Sequence, residues 1–247
     1  SGSGSASGSA SGTPPTGLAP LRILFSVDVF NENGPTDKDE SRLGEFAAEL
    51  YEPLRSAVAQ HFALNSDKAE AVVVTQLWFM ANDRFYWTTR RAREFLSGFP
   101  PGKSLLLDLH GELRPQFPKL PRERRPDTAL CVLHNFGGNN GMGGELHRSV
   151  MALRSAVQAG LRGVGIAPEG VEQNEVVYDL ALGAAWHRPQ PLVGGTGGVT
   201  SLEEWLPAWV RARYRLGSSA SGTLLLELPQ TAWTCAAGTI YERPFET

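Results

Sequence analysis

A chain of 247 residues with 41% hydrophobic and 20% charged residues has an ordinary globular composition, with room for one large domain or two small ones. Its formal net charge of −3 excludes the basic surplus of a phosphate-backbone binder and gives no reason to expect nucleic acid or an anionic membrane surface as the main partner. No apolar run approaches the roughly 20 residues that a bilayer crossing needs, and two cysteines, Cys131 and Cys235, make no disulfide framework.

The first twelve residues, SGSGSASGSASG, are low-complexity sequence with the composition of a flexible coil. With the Pro-containing stretch to Pro20 they form a lead-in over 1–20, and no signal peptide opens the sequence. Short apolar runs then alternate with longer amphipathic ones. Strands are expected over Arg22 to Val29, Ala71 to Leu77, Ser104 to Leu109, Ala129 to Leu133 and Gly163 to Ala167. Their nearly continuous hydrophobicity suits parallel strands covered on both faces. Helices are expected over Ser41 to Gln60 (with Pro53 as a possible break), Asp83 to Leu96, Glu145 to Ala159, Gln173 to Ala185 and Ser201 to Tyr214.

This alternation predicts an α/β fold with a parallel sheet. No Gly-x-Gly-x-x-Gly follows the first strand, which favours a (β/α) barrel over a dinucleotide-binding sheet. A closed barrel of this kind has eight strands, so five make a partial barrel over 21–216. The remaining strands are expected before residue 20, and 217–247 is read as the start of a following helical domain or a tail.

In such a barrel the reacting groups come from the carboxyl ends of the strands. Two strand ends place a carboxylate among turn-formers, Glu32 in Phe30-Asn31-Glu32-Asn33-Gly34 and Glu169 in Ala167-Pro168-Glu169-Gly170. A pair of that kind suits glycosidic hydrolysis, in which one carboxyl protonates the leaving oxygen and the other attacks the anomeric carbon or activates water. Asn31 could donate to a sugar substituent, and Trp78 offers an aromatic face, although core packing explains Trp78 equally well. Asp108 and His110, two apart, share a strand face and read as a satisfied buried pair rather than metal ligands. His134 is expected to bond a neighbouring backbone group, Cys131 to be a core residue, and Arg122 to Arg125 a solvated turn. Gly137 to Gly144 lacks the Lys-Ser/Thr ending of a P-loop and reads as a tight loop.

Two stretches go further. Leu133-His134-Asn135-Phe136-Gly137-Gly138-Asn139 and Ala167-Pro168-Glu169-Gly170-Val171-Glu172-Gln173-Asn174-Glu175-Val176-Val177-Tyr178 resemble the most distinctive segments of glycoside hydrolase family 89, the α-N-acetylglucosaminidases. Phe30-Asn31-Glu32, Gln76-Leu77-Trp78 and Leu107 to Glu112 fall in the order of that family's other core segments, while Leu130, Asn140 and Gly143 depart from its usual choices. The resemblance implies Glu32 as acid/base and Glu169 as nucleophile, with Asn31, Trp78 and Asn135 lining the sugar pocket. It implies release of terminal α-linked N-acetylglucosamine, notably from heparan sulfate, with retention of configuration and without metal or organic cofactor. A lysosomal or secreted location is implied in the same way. The alternative is a non-catalytic fragment or remnant that keeps the barrel motifs without turnover.

Overall fold

The structure is a computed structural model that describes residues 20–30, 34–35, 39–62, 69–136, 146–170, 173–186 and 202–214. The expected lead-in before Pro20 and the expected tail over 217–247 lie outside the described residues.

Five strands, β1 (Leu21–Ser26), β2 (Ala69–Gln76), β3 (Ser104–Leu109), β4 (Thr128–Val132) and β5 (Gly163–Ile166), pair in the order β1-β2-β3-β4-β5, every pair parallel. A doubly wound sheet reverses its strand order at a switch point, whereas a barrel adds each strand beside the last. The sequential order is that of a half-barrel, as the sequence predicts. Register sets Leu21 beside Ala69, Val73 beside Ser104, Leu106 beside Thr128 and Ala129 beside Gly163.

The inner strands are built from apolar runs such as Val72-Val73-Val74 and carry the buried positions. The outer strands do not. Leu24 on β1 is 57% exposed and Ile166 on β5 is 39% exposed, because among the described residues each outer strand has a neighbour on one side only.

Among the described residues the strands are accompanied by six α-helices: α1 (Arg42–His61), α2 (Trp78–Asn82), α3 (Thr89–Ser97), α4 (Leu146–Gln158), α5 (Glu175–Trp186) and α6 (Leu202–Tyr214). The first runs through Pro53 without a break. Between β2 and β3 the single helix expected from Asp83 is absent. The Asp83 carboxylate instead accepts the Tyr86 backbone N–H at 3.0 Å, and this local bond holds a turn. Helix α3 starts only at the Thr88 cap, whose side chain accepts the Arg91 N–H at 3.3 Å.

Helices α1 and α3 meet at two glycines. A methyl added at Gly98 would strike the Gly44 carbonyl oxygen and stand 2.6 Å from Ala47 Cβ, so the close approach requires glycine. The stretch expected to be a solvated turn is a 3-10 helix, Arg122–Asp127, and its Arg124 is buried. That guanidinium donates to the carbonyls of Leu96, at 2.7 Å, and Phe99, adding donors where α3 ends and its last carbonyls lose their i+4 partners.

Candidate active site

All five strands point the same way, so their carboxyl ends gather along one edge of the sheet. After β1 the chain is anchored by Phe30, whose ring lies 5.3 Å from both Phe79 and Trp87, 5.5 Å from Phe95 and 5.7 Å from Phe46. Asn31 and Glu32 lie outside the described residues. Gly34 passes so near the Asp83 turn that a methyl there would come within 2.7 Å of the Asp83 carboxylate. Asp28 accepts from the Gln76 amide at 3.0 Å, and the Gln76 side-chain oxygen accepts the Trp78 N–H at 2.8 Å, joining the ends of β1 and β2.

Trp78 opens the short helix α2 and is half-buried. Its indole stacks on the His110 ring with centroids 5.9 Å apart and 22° between planes, and Phe136 meets the same imidazole edge-on at 5.6 Å. Trp78 is therefore half-buried against the His110 ring.

The end of β3 carries two buried acids, and the expected Asp108–His110 pair does not form. Asp108 accepts the backbone N–H groups of Gln116 (2.9 Å) and Phe117 (2.8 Å), tying down the far end of the loop. His110 leaves the strand with φ 56°, a left-handed conformation uncommon outside glycine, so it no longer shares the Asp108 face. Both His110 ring nitrogens are buried without a hydrogen-bond partner among the described residues, and burial depresses its pKa to about 4. Glu112 accepts the N–H groups of His134 at 2.8 Å and Leu133 at 3.2 Å. Burial pushes Glu112 up to about 7 and Asp108 to about 6, in each case against the opposing effect of the backbone N–H donors.

At the end of β4, His134 is again left-handed, with φ 63°. Its ring Nε2 is buried without a hydrogen-bond partner among the described residues, and the ring packs edge-on to Tyr178 at 6.0 Å. Burial lowers its pKa to about 4. The Asn135 carbonyl accepts the Gly170 N–H at 3.0 Å, and the Gln173 amide reaches the Gly170 carbonyl at 2.7 Å. Glu169 is thus exposed on a backbone held at the next residue. The Tyr178 hydroxyl lies 2.9 Å from the Leu133 carbonyl and also bonds the Gln173 side-chain oxygen.

The structure therefore brings Asn135 to the Glu169 segment and Trp78 to His110. Sequence reasoning missed His110 as the stacking partner, and it missed Glu112 and Tyr178 as supports of the β4 turn. Glu112 and Tyr178 both lie within segments that carry the family resemblance, so the signal was present without a role attached. Among the described residues no group of three His, Cys, Asp or Glu could hold a metal, and no helix is long and apolar enough to cross a membrane.

Residues 21–188 match the α-N-acetylglucosaminidase (NAGLU) TIM-barrel domain family. The chain is 29% identical over 216 residues to human α-N-acetylglucosaminidase, covering 86% of this chain and 27% of that protein. Among solved structures it resembles the family 89 glycoside hydrolase from Clostridium perfringens in complex with PUGNAc, at TM-score 0.57 and 22% identity, over 85% of this chain and 20% of that one. The complex of a Clostridium perfringens family 89 glycoside hydrolase with 2-acetamido-1,2-dideoxynojirmycin gives the same TM-score over 82% of this chain. At that identity the structural likeness speaks for the fold.

Proposed function

Because the chain belongs to the α-N-acetylglucosaminidase TIM-barrel family, we propose that its protein is a retaining glycosidase that releases terminal α-linked N-acetylglucosamine, with Glu169 as nucleophile and Glu32 as acid/base. The observation that carries the reading is the Glu169 setting: an exposed carboxylate at the end of a barrel strand, next to a Gly170 bonded through both its N–H and its carbonyl.

The substrate class explains why a protein nucleophile is needed. In an α-linked N-acetylglucosamine the axial leaving group and the equatorial acetamido group are cis, so the acetamido oxygen has no in-line path to the anomeric carbon. Glu169 attacks that carbon, and Glu32 gives its proton to the departing oxygen as the glycosidic bond breaks. Glu32 then takes a proton from water, which attacks the anomeric carbon and returns the Glu169 carboxylate. The scheme requires the two carboxyl groups about 5–5.5 Å apart. Asn31, Trp78 and Asn135 line the pocket, with Trp78 supplying an apolar face. Heparan-sulfate-type glycans are the proposed source of substrate and a lysosomal or secreted location the proposed setting; the mechanism uses no cofactor.

The chain spans 27% of the human relative's length, so turnover is to be measured on the purified protein itself. Hydrolysis of a chromogenic α-N-acetylglucosaminide that is abolished by Glu169→Gln and by Glu32→Gln supports the reading. A folded protein without turnover leaves ancestry alone.

A further inference from the structure

We propose that Glu112 is a positioning residue for Glu169, acting through the turn Leu133-His134-Asn135. The inference rests on the reading of Glu169 as nucleophile.

Glu112 is 7% exposed and lies beneath that turn rather than in the open part of the site. Its carboxylate takes two consecutive backbone N–H groups, from Leu133 and His134. The Leu133 carbonyl, on the other side of the chain, lies 2.9 Å from the Tyr178 hydroxyl, whose single proton it shares with the Gln173 side-chain oxygen. The turn is therefore gripped from both sides at the residue where β4 has ended, and the next residue is the left-handed His134. Strained backbone of that kind persists only where its surroundings over-determine it.

What the grip delivers is the Asn135 carbonyl. That oxygen accepts the Gly170 N–H at 3.0 Å, with the Gln173 amide 3.5 Å away, and Gln173 also donates to the Gly170 carbonyl. A continuous set of bonds thus runs from Glu112 through 133–135 to the residue beside Glu169. An apolar side chain in place of Glu112 would leave two N–H groups unsatisfied beneath the turn, so packing alone does not account for an acid there.

Two variants and two readouts test the proposal. Glu112→Ala removes the acceptor; Glu112→Gln keeps one oxygen in place for the His134 and Leu133 N–H groups. The expected result for Glu112→Ala is a kcat reduced roughly 10²-fold, the order of effect that a displaced reacting group produces, with KM within about threefold. Amide hydrogen exchange should quicken at Leu133, His134 and Gly170 and stay slow along β3. Glu112→Gln should return kcat to within about tenfold of the parent and restore protection at Gly170. A folded Glu112→Ala protein with parental kcat, or with unchanged protection at Gly170, overturns the proposal, as does failure of Gln to restore either readout. If the Ala variant does not fold, Glu112→Asp decides: the shorter reach should lower kcat and Gly170 protection together, and lost protection with normal kcat counts against the proposal. If the parent has no turnover the glycosidase reading fails, and exchange at Gly170 alone judges the link from Glu112.

Discussion

The Glu112 carboxylate accepts the His134 backbone N–H at 2.8 Å and lies 3.9 Å from the His110 Nε2, so an acid raised to about 7 sits beside an imidazole lowered to about 4. Asp108, raised to about 6, and His110, lowered to about 4, belong to the same buried layer. The raised carboxyls favour the fold at low pH and lose that contribution as pH climbs through 6 and 7. The depressed imidazoles do the reverse. Their contribution is complete above 6.5 and is lost as pH falls toward 4.

Between about pH 4.5 and 6.5 the two effects oppose each other, since folded acids and unfolded histidines both take up protons on acidification. Thermal stability of the parent should be nearly level across that window. Glu112→Gln removes one folded-state proton and should leave a loss of stability on acidification, approaching about 1.4 kcal/mol per pH unit for each uncompensated proton. Thermal unfolding at several pH values checks this; a Gln variant with the parental pH slope would show that Glu112 does not titrate as described.

Trp78 stacks on His110 at 5.9 Å and is half-buried. Loss of a sugar-stacking surface should raise KM, on the order of tenfold for Trp78→Ala, with kcat much less affected. Steady-state kinetics beside a melting curve separates the two roles of the side chain. A lowered melting temperature with parental KM would mark Trp78 as core filling only.

Gly98 lies where α3 presses on α1, with the Gly44 carbonyl and Ala47 Cβ in the space a methyl would need. Its backbone is in the ordinary helical region, with φ −72°, so the obstacle is steric. Gly98→Ala should destabilise by about 1–3 kcal/mol, the usual cost of overpacking. Denaturant unfolding is the check, and a neutral or stabilising effect would mean the helices part easily.

The sheet was legible because its inner strands are apolar without interruption. Val72-Val73-Val74 and Leu105-Leu106-Leu107 cannot satisfy both faces unless both are covered, and the sequential parallel order follows from helices between the strands. What escaped was decided by single side chains. Asp83 trades a helical start for a bond to the Tyr86 N–H. Arg124, in a charged stretch that looks solvated, is drawn inward by carbonyls at the end of a helix more than twenty positions earlier.

The site divides in the same way. Strand ends and motif single out Glu169, Trp78 and Asn135, and the Asn135 and Glu169 segments meet through a backbone bond. The Asp108–His110 pairing failed because alternation along a strand holds only while the backbone stays extended, and His110 does not. Glu112 was hidden for another reason: its partners are 21 and 22 positions away, just past the end of the next strand, a relationship that spacing does not encode.

The central claim is double displacement at the anomeric carbon, and the most direct measurement is the configuration of the sugar as first released. Proton NMR of an α-N-acetylglucosaminide hydrolysed by the purified protein should show the α-anomer forming first, with the β-anomer appearing only by later mutarotation. First release of the β-anomer would mean a single displacement by water and would remove Glu169 from the role of nucleophile.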